Sequence, residues 1–362
     1  MRFPISRPVF PTFGHHGPAD AFDAALKSGN VTNNGPNVQG LEQVVADYLG
    51  VECVVCVSSG TAALVVMLKA AGVGPGDEVI VPSFTFCATP HAVVLAGATP
   101  VFADIQPDTL LLDPADVARR VTARTRAIMP VDAYGVPYPD QWLVGRFSPD
   151  VQVLLDAAPS FGANAVVAAE YLPTSRARAY SFHATKPFST MEGGCIATDD
   201  AELARRARHI AHFGIWPSGL AQVVGLNAHM LEVSAIMGLA ALPVLRGVIA
   251  HREAVARAYA WHLRNVPGVS LPRRPRASSW CYFPILLENK AARDAVRHRL
   301  AVQGIEARPY YVECHTMPAY KSQTRLPVTE AVSPRVLALP IYSNQTDEEV
   351  AAISHAVKEA VR

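Results

Sequence analysis

Between residues 54 and 156 the chain alternates short apolar runs with helix-forming stretches, and that alternation restricts the fold more than any other feature. Val54-Val55-Cys56-Val57 reads as a strand. Ser58-Ser59-Gly60-Thr61 is a small-residue turn, and Ala62-Ala63-Leu64 begins a helix. Gly72 to Asp77 forms the next turn, followed by a strand over residues 78–81. Residues 151–155 are nearly continuously apolar and end in Asp156, the pattern of a parallel strand buried on both faces. The expected fold class is therefore α/β, a mostly parallel sheet flanked by helices.

Amphipathic helices are expected over residues 18–27 and 38–49, separated by a Gly/Asn/Pro turn. Others are expected over 201–211, from near Glu232, and over 247–263. After Pro267 the pattern changes to a strand over 280–287, a helix over 291–302 and a closing amphipathic helix over 348–361. With 362 residues the chain accommodates two domains, read here as a large domain over 1–245 and a smaller α/β domain over 246–362.

Three segments carry candidate chemistry. Lys186 follows a strand-like segment, Ala179-Tyr180-Ser181-Phe182, and has Phe182, Pro187 and Phe188 nearby but no acid until Glu192. An apolar setting disfavours an ammonium ion, and a neutral lysine forms a Schiff base with an aldehyde. The plain alternative is a loop lysine packing its stem on aromatics. Asp156 ends a buried strand, where open α/β sheets place ligand chemistry; a carboxylate there holds a heterocyclic nitrogen protonated or simply caps the next turn. The helix start at Ser59-Gly60-Thr61 offers free backbone N–H groups to a phosphate, or is an ordinary N-cap. Together they supply a phosphate cradle, a pyridinium partner and a Schiff-base lysine, the set that pyridoxal 5'-phosphate (PLP) needs.

At these segments the chain resembles the DegT/DnrJ/EryC1/StrS sugar aminotransferases, over nearly its whole length. The resemblance runs through Thr32-Asn33-Asn34-Gly35-Pro36, Ser59-Gly60-Thr61-Ala62-Ala63-Leu64, Gly76-Asp77-Glu78-Val79 and Pro82-Ser83-Phe84-Thr85-Phe86. It continues in Asp156-Ala157-Ala158, the Lys186 segment with Glu192-Gly193-Gly194, Gly225-Leu226-Asn227 and Leu339-Pro340-Ile341-Tyr342. It implies a fold-type I PLP-dependent transferase. Lys186 would carry the cofactor and, with Asp156, the catalysis; Asp156 would bond the ring nitrogen. Phe86 would stack on the ring. Gly60, Thr61 and Ser181 would bind the phosphate, and Asn227 would reach it from the neighbouring subunit of a homodimer whose active sites lie at the interface. His183 would lie near the cofactor or the sugar, or be a packed histidine. Asn33, Asn34, Tyr310, Tyr311 and His315 would contact sugar or nucleotide, or serve as turn and packing residues. The substrates implied are L-glutamate and a nucleotide-linked keto-deoxyhexose, with dTDP-4-keto-6-deoxyglucose aminated at C4 first and a C3 aminotransferase second. Four positions depart from the family pattern. Pro159 stands where relatives usually carry Gln or His, with Ser160 the nearest substitute donor. His229 replaces a usual Arg or Lys, which makes any charge there pH-dependent. Met191 replaces a frequent Gly, and Leu231-Glu232-Val233 is a looser form of Ser-Glu-Leu.

Composition excludes other classes. Lys plus Arg number 32 against 31 acids, a formal charge of +1, so no basic excess marks a nucleic-acid partner. Arg273, Arg274 and Arg276 read as a solvated loop before a nucleotide-diphosphate site. The N-terminal residues are interrupted by prolines and lack the apolar core of a signal peptide. Residues 236–250, broken by Pro243 and Arg246, are expected to be too short for a bilayer and to lie in the core or at a dimer contact. The six cysteines, Cys53, Cys56, Cys87, Cys195, Cys281 and Cys314, are expected to be reduced thiols in a cytoplasmic protein. Neither Cys53-x-x-Cys56 nor His15-His16 has the partners of a metal site, so none is expected. A PLP-fold dehydratase would carry histidine in place of Lys186, and a Rossmann module would need a Gly-x-Gly-x-x-Gly turn that Ser-Ser-Gly-Thr does not provide. A non-transaminating PLP-fold sensor stays open.

Overall fold

A computed structural model describes residues 2–8, 10, 18–163, 175–215, 218–273, 278–320 and 322–362. His15, His16, Arg274 and Arg276 lie outside them. Two helices, α1 (Pro18–Ser28) and α2 (Pro36–Leu49), precede β1 (Cys53–Val57), α3 (Gly60–Ala70), β2 (Glu78–Pro82), α4 (Ala88–Ala96), β3 (Thr99–Ala103), α5 (Pro114–Arg120) and β4 (Thr125–Ile128). Then come β5 (Gln152–Asp156), β6 (Ala177–Ser181), β7 (Gly194–Thr198), α6 (Ala201–Ala211), α7 (Glu232–Ala241) and α8 (Leu245–Leu263). The C-terminal part adds β8 (Phe283–Leu286), α9 (Lys290–Val302), α10 (Pro327–Val332), β9 (Val336–Leu339) and α11 (Asp347–Val361).

The first seven strands form one sheet in the order β1-β7-β6-β5-β4-β2-β3. Pairings from β3 across to β6 are parallel, and β7 runs antiparallel to both its neighbours. β1 therefore points the same way as β5 and β6. The turns leaving β1, β2, β5 and β6 all emerge at one edge, which is how segments distant in sequence come to share a site. Asp156 ends the middle strand, and Asp156↔Ala179 register sets it beside the end of β6.

Helices cover both faces. Val54, Cys56, Val153 and Leu155 face a core that includes Leu41 and Val45 of α2. Val55, Val57 and Leu154 face the other core, under α3, α4 and α6. Apolar residues on both strand faces produce the uninterrupted runs seen in the sequence. The antiparallel pair β8–β9 anchors a third core with Tyr259 of α8 and Ile353 and Val357 of α11. Phe3 belongs to this core and bridges to Ile305.

Two expectations need correction. The strand expected over 280–287 is confined to Phe283–Leu286, because the residues before it are bonded elsewhere: Cys281 N–H donates to the Tyr134 carbonyl at 3.1 Å, and Trp280 lies at φ +51°. The apolar segment expected to be too short for a bilayer lies in a continuous helical run, Glu232–Leu263, long and apolar enough to cross one. Pro243 does not end it, because the proline occupies the first positions of a 3₁₀ turn, Leu242–Val244, where its missing N–H costs no bond. Part of it packs inside the protein: Glu232 is fully buried, and the buried Arg252 donates to the Trp280 carbonyl at 2.7 and 3.0 Å.

Glu232 also completes another helix. Gly35 precedes α2 and has no side chain to cap it. The Glu232 carboxylate takes that role, accepting from Asn37 N–H at 2.8 Å, Asn37 Nδ2 at 2.7 Å and Val38 N–H at 3.0 Å. A Cβ at position 35 would lie 2.7 Å from Glu232 Cδ, so the glycine is what admits the carboxylate. A negative charge there also complements the helix dipole.

Candidate active site

At the common strand edge a cleft of about 330 Å³ is lined by the N-terminus of α3, the end of β5, the loop after β6 and a segment near residue 310. Ser59 is the N-cap of α3, its hydroxyl accepting from Ala62 N–H at 3.1 Å. That leaves the following N–H groups and the Thr61 side chain at the cleft. A Cβ on Gly60 would lie 2.6 Å from Ser181 Cβ, so the helix start and the end of β6 meet only because residue 60 has no side chain. This close approach of two phosphate-compatible segments is a cradle of the shape and donor chemistry that a phosphate group requires.

Asp156 is 4 % exposed. Its Oδ2 accepts from the Thr89 hydroxyl at 2.7 Å and its Oδ1 from Ala158 N–H at 3.1 Å. Burial pushes its carboxyl above the ordinary range, while Thr89, Ala158 and the charge of Lys186 pull the other way. A protonated ring nitrogen facing it would offset the burial cost of the anion. Phe86, in the turn after β2, lines the same cleft and is 56 % exposed, an aromatic face open to a stacking ring. The residues present thus fit PLP: a phosphate cradle, a ring face, a ring-nitrogen partner and an amine.

Lys186 lines the cleft and is half-buried. The apolar enclosure expected from its sequence neighbours is not formed. Phe182 and Phe188 are buried instead against Phe161, with ring centroids 5.1 and 4.7 Å from it, and the lysine lies within electrostatic reach of Asp156. The aromatic cluster anchors the loop. His183 also lines the cleft. Its Nδ1 accepts from Thr185 N–H at 3.2 Å, so Nε2 carries the proton in the neutral ring and faces Glu192 at 3.4 Å. Tyr310 and Tyr311 line the opposite wall. Tyr311 is buried between Phe84 and Tyr134, and the Tyr310 hydroxyl accepts from Arg308 at 2.8 Å.

Four sequence-derived candidates do not line this cleft. Asn33 and Asn34 form a left-handed turn at φ +62° and +60°, with Asn34 Oδ1 accepting from Arg208 at 3.2 Å. His315 is buried, its Nδ1 2.7 Å from the Ser83 hydroxyl. Asn227 is exposed and pairs through its backbone with His212. Ser160 does not replace the donor missing at Pro159: its hydroxyl donates to Asp132, and Pro159 itself lines the cleft. His229 stacks on His212 at 5.3 Å, and burial pushes its pKa down, so it is neutral at pH 7 and no substitute for a fixed cation. Met191 lies at φ +69°, a conformation that favours the glycine usual in relatives.

Sequence reasoning assigns no role to Thr89, Tyr282 or Arg308, and it quotes Glu192 only as part of the Lys186 motif. Thr89 supports Asp156, and the other three line the cleft. Arg308 reads in the sequence as an ordinary surface arginine; in the fold its backbone pairs with Ala338 of β9 and its side chain bonds to Glu306 and Tyr310.

Residues 16–358 match the DegT/DnrJ/EryC1/StrS aminotransferase family. A UDP-N-acetyl-3-dehydro-alpha-D-glucosamine 3-aminotransferase of Acidithiobacillus ferrooxidans is 33 % identical over 328 residues, covering 89 % of this chain and 88 % of that protein. Among solved structures, DesI in the presence of its TDP-sugar product superposes with a TM-score of 0.90 at 35 % identity, over 99 % of this chain and 93 % of the other. NtdA from Bacillus subtilis, solved with bound cofactor PMP, gives 0.86 at 27 % identity over 95 % and 81 %. With the fold, the cleft and these relatives in agreement, the chain belongs to the DegT/DnrJ/EryC1/StrS family of PLP-dependent nucleotide-sugar aminotransferases.

Proposed function

We propose that this enzyme moves an amino group from L-glutamate to a dTDP-linked 4-keto-6-deoxyhexose, dTDP-4-keto-6-deoxyglucose, at C4. The observation that carries the reaction type is the meeting of Lys186, Asp156 and the Gly60–Ser181 cradle in one cleft. DesI, similar over nearly the whole chain and solved in the presence of its TDP-sugar product, supports the nucleotide. The A. ferrooxidans relative, named for 3-amination of a UDP-sugar, favours a second reading, amination at C3.

When bound, the cofactor supplies an electron sink for the carbon that gains or loses the amine. The chain does the rest. Gly60, Thr61 and Ser181 hold the phosphate and so fix the ring's position. Phe86 covers one face. Asp156 holds the proton on the ring nitrogen. Lys186 Nζ would hold the cofactor and, as a free amine, would move the proton at the substrate carbon. Tyr310, Tyr311 and His183 present hydroxyl and imidazole groups to the sugar.

Asn227 acts on the partner subunit's cofactor phosphate in a homodimer. Phe213, Leu220, Val223 and Val224, near it in sequence, are 45 to 86 % exposed, a patch suited to burial against a second copy. Asn33 and Asn34 contact sugar or nucleotide across that interface, whereas the buried His315, bonded to Ser83, is a packing residue; the six free thiols fit a reducing cytoplasm.

The test is the absorbance spectrum of the protein with PLP, before and after L-glutamate, beside Lys186→Ala. Conversion to the PMP spectrum in wild type alone supports the half-reaction; no change with glutamate, or no PLP bound, sinks it. Mass spectrometry and NMR of products from dTDP-4-keto, dTDP-3-keto and UDP-3-keto sugars then decide nucleotide and carbon. Sedimentation must give the mass of two chains.

A further inference from the structure

Asp156 is held by a directional chain of hydroxyls. Thr89, in the first turn of α4, is fully buried and donates to Asp156 Oδ2 at 2.7 Å. That uses its only hydroxyl hydrogen, so its oxygen must accept from Thr85, 2.8 Å away and also buried. The order is fixed: Thr85 donates to Thr89, and Thr89 donates to the carboxylate. Polarised hydroxyl chains of this kind strengthen the terminal bond. Thr89 makes a second tie, its backbone N–H donating to the Phe86 carbonyl at 3.1 Å. One residue thus links the group beside the ring nitrogen to the group beside the ring face.

We propose that Thr89, backed by Thr85, is a positioning residue that holds the Asp156 carboxylate as a fixed anion and keeps Phe86 in register with it. The inference rests on the reading that Asp156 meets the cofactor ring nitrogen. The Ala158 N–H occupies Oδ1, so without Thr89 the carboxylate would keep one protein donor, rotate more freely and take up a proton more readily. Thr89→Val keeps the shape and removes the donor.

The experiment is a pH titration of the absorbance of bound PLP, without substrate, in wild type, Thr89→Val, Thr89→Ser and Asp156→Asn, with each apoprotein's melting temperature recorded. The acid limb is expected to move up by about one pH unit in Thr89→Val and to return to the wild-type position in Thr89→Ser. Thr85→Val, which leaves the Thr89 hydroxyl in place, should move it the same way by less, and serves if Thr89→Val does not fold. An unmoved limb in Thr89→Val or Thr85→Val, with an altered spectrum in Asp156→Asn, overturns the positioning role. A wild-type spectrum in Asp156→Asn overturns the reading of Asp156 itself and this inference with it.

Discussion

Met191 shows what one side chain costs in a glycine's position. At φ +69° its Cβ crowds its own backbone, a penalty of about 1 kcal/mol. Met191→Gly is expected to raise the urea midpoint slightly, since relief of strain outweighs the added freedom of the unfolded chain. Pro159 is the reverse case, a position that gives up a donor. With Ser160 committed to Asp132, its hydroxyl does not replace that donor. Pro159→Gln should tighten PLP binding by roughly two- to tenfold, the value of one neutral hydrogen bond; equal affinity by fluorescence titration would refute this. At this scale the sequence revealed the groups whose local context is distinctive. Asp156 ends a strand, Lys186 follows one, and Gly60 opens a helix. It did not reveal Thr89 or Tyr282, because nothing in their own neighbourhoods differs from a packed helix turn or a strand end. Only tertiary contact gives them meaning. The enclosure of Lys186 failed for the same reason: adjacent aromatics point where the core is, not toward the lysine.

At the scale of elements, Glu232 is the cap that α2 lacks. Glu232→Ala leaves Asn37 and Val38 N–H groups without their acceptor in a buried place, and a loss of about 3 kcal/mol is expected in chemical denaturation. The turn after β4 depends on another buried acid. Asp132 accepts from Tyr138 N–H at 2.7 Å and from Ser160, yet burial pushes its pKa up to about 7. Between about pH 4 and 7 the folded chain therefore keeps a proton that the unfolded chain releases. Stability falls as pH rises through that window, by at most about 1.4 kcal/mol per pH unit. Relative to Asp132→Asn, which does not titrate, wild type should lose melting temperature from pH 4 to 7 and run parallel to it above. Most elements were legible within two residues, because sheet strands apolar on both faces and amphipathic helices announce themselves. The strand expected from Trp280 was not, since its first residues bond to Tyr134 instead of extending the ladder.

At the scale of the molecule, the N-terminal residues brace the far end of the chain. Phe3 is 5 % exposed in the C-terminal core, and Ile5 N–H donates to Glu306 Oε2 at 3.0 Å, two residues before Arg308 and the tyrosine wall. Phe3→Ala is expected to cost about 3 kcal/mol and to raise KM for the sugar more than it lowers PLP affinity, measured by urea denaturation and steady-state kinetics. The cap on α2 has a consequence in time as well as in space. Its acceptor lies 195 residues after the N–H groups it satisfies. A chain leaving the ribosome at about 5 to 20 residues per second makes this segment at least several seconds before its partner exists. The second helix to be synthesised is therefore among the last to be finished, and until then its first N–H groups can bond only to water.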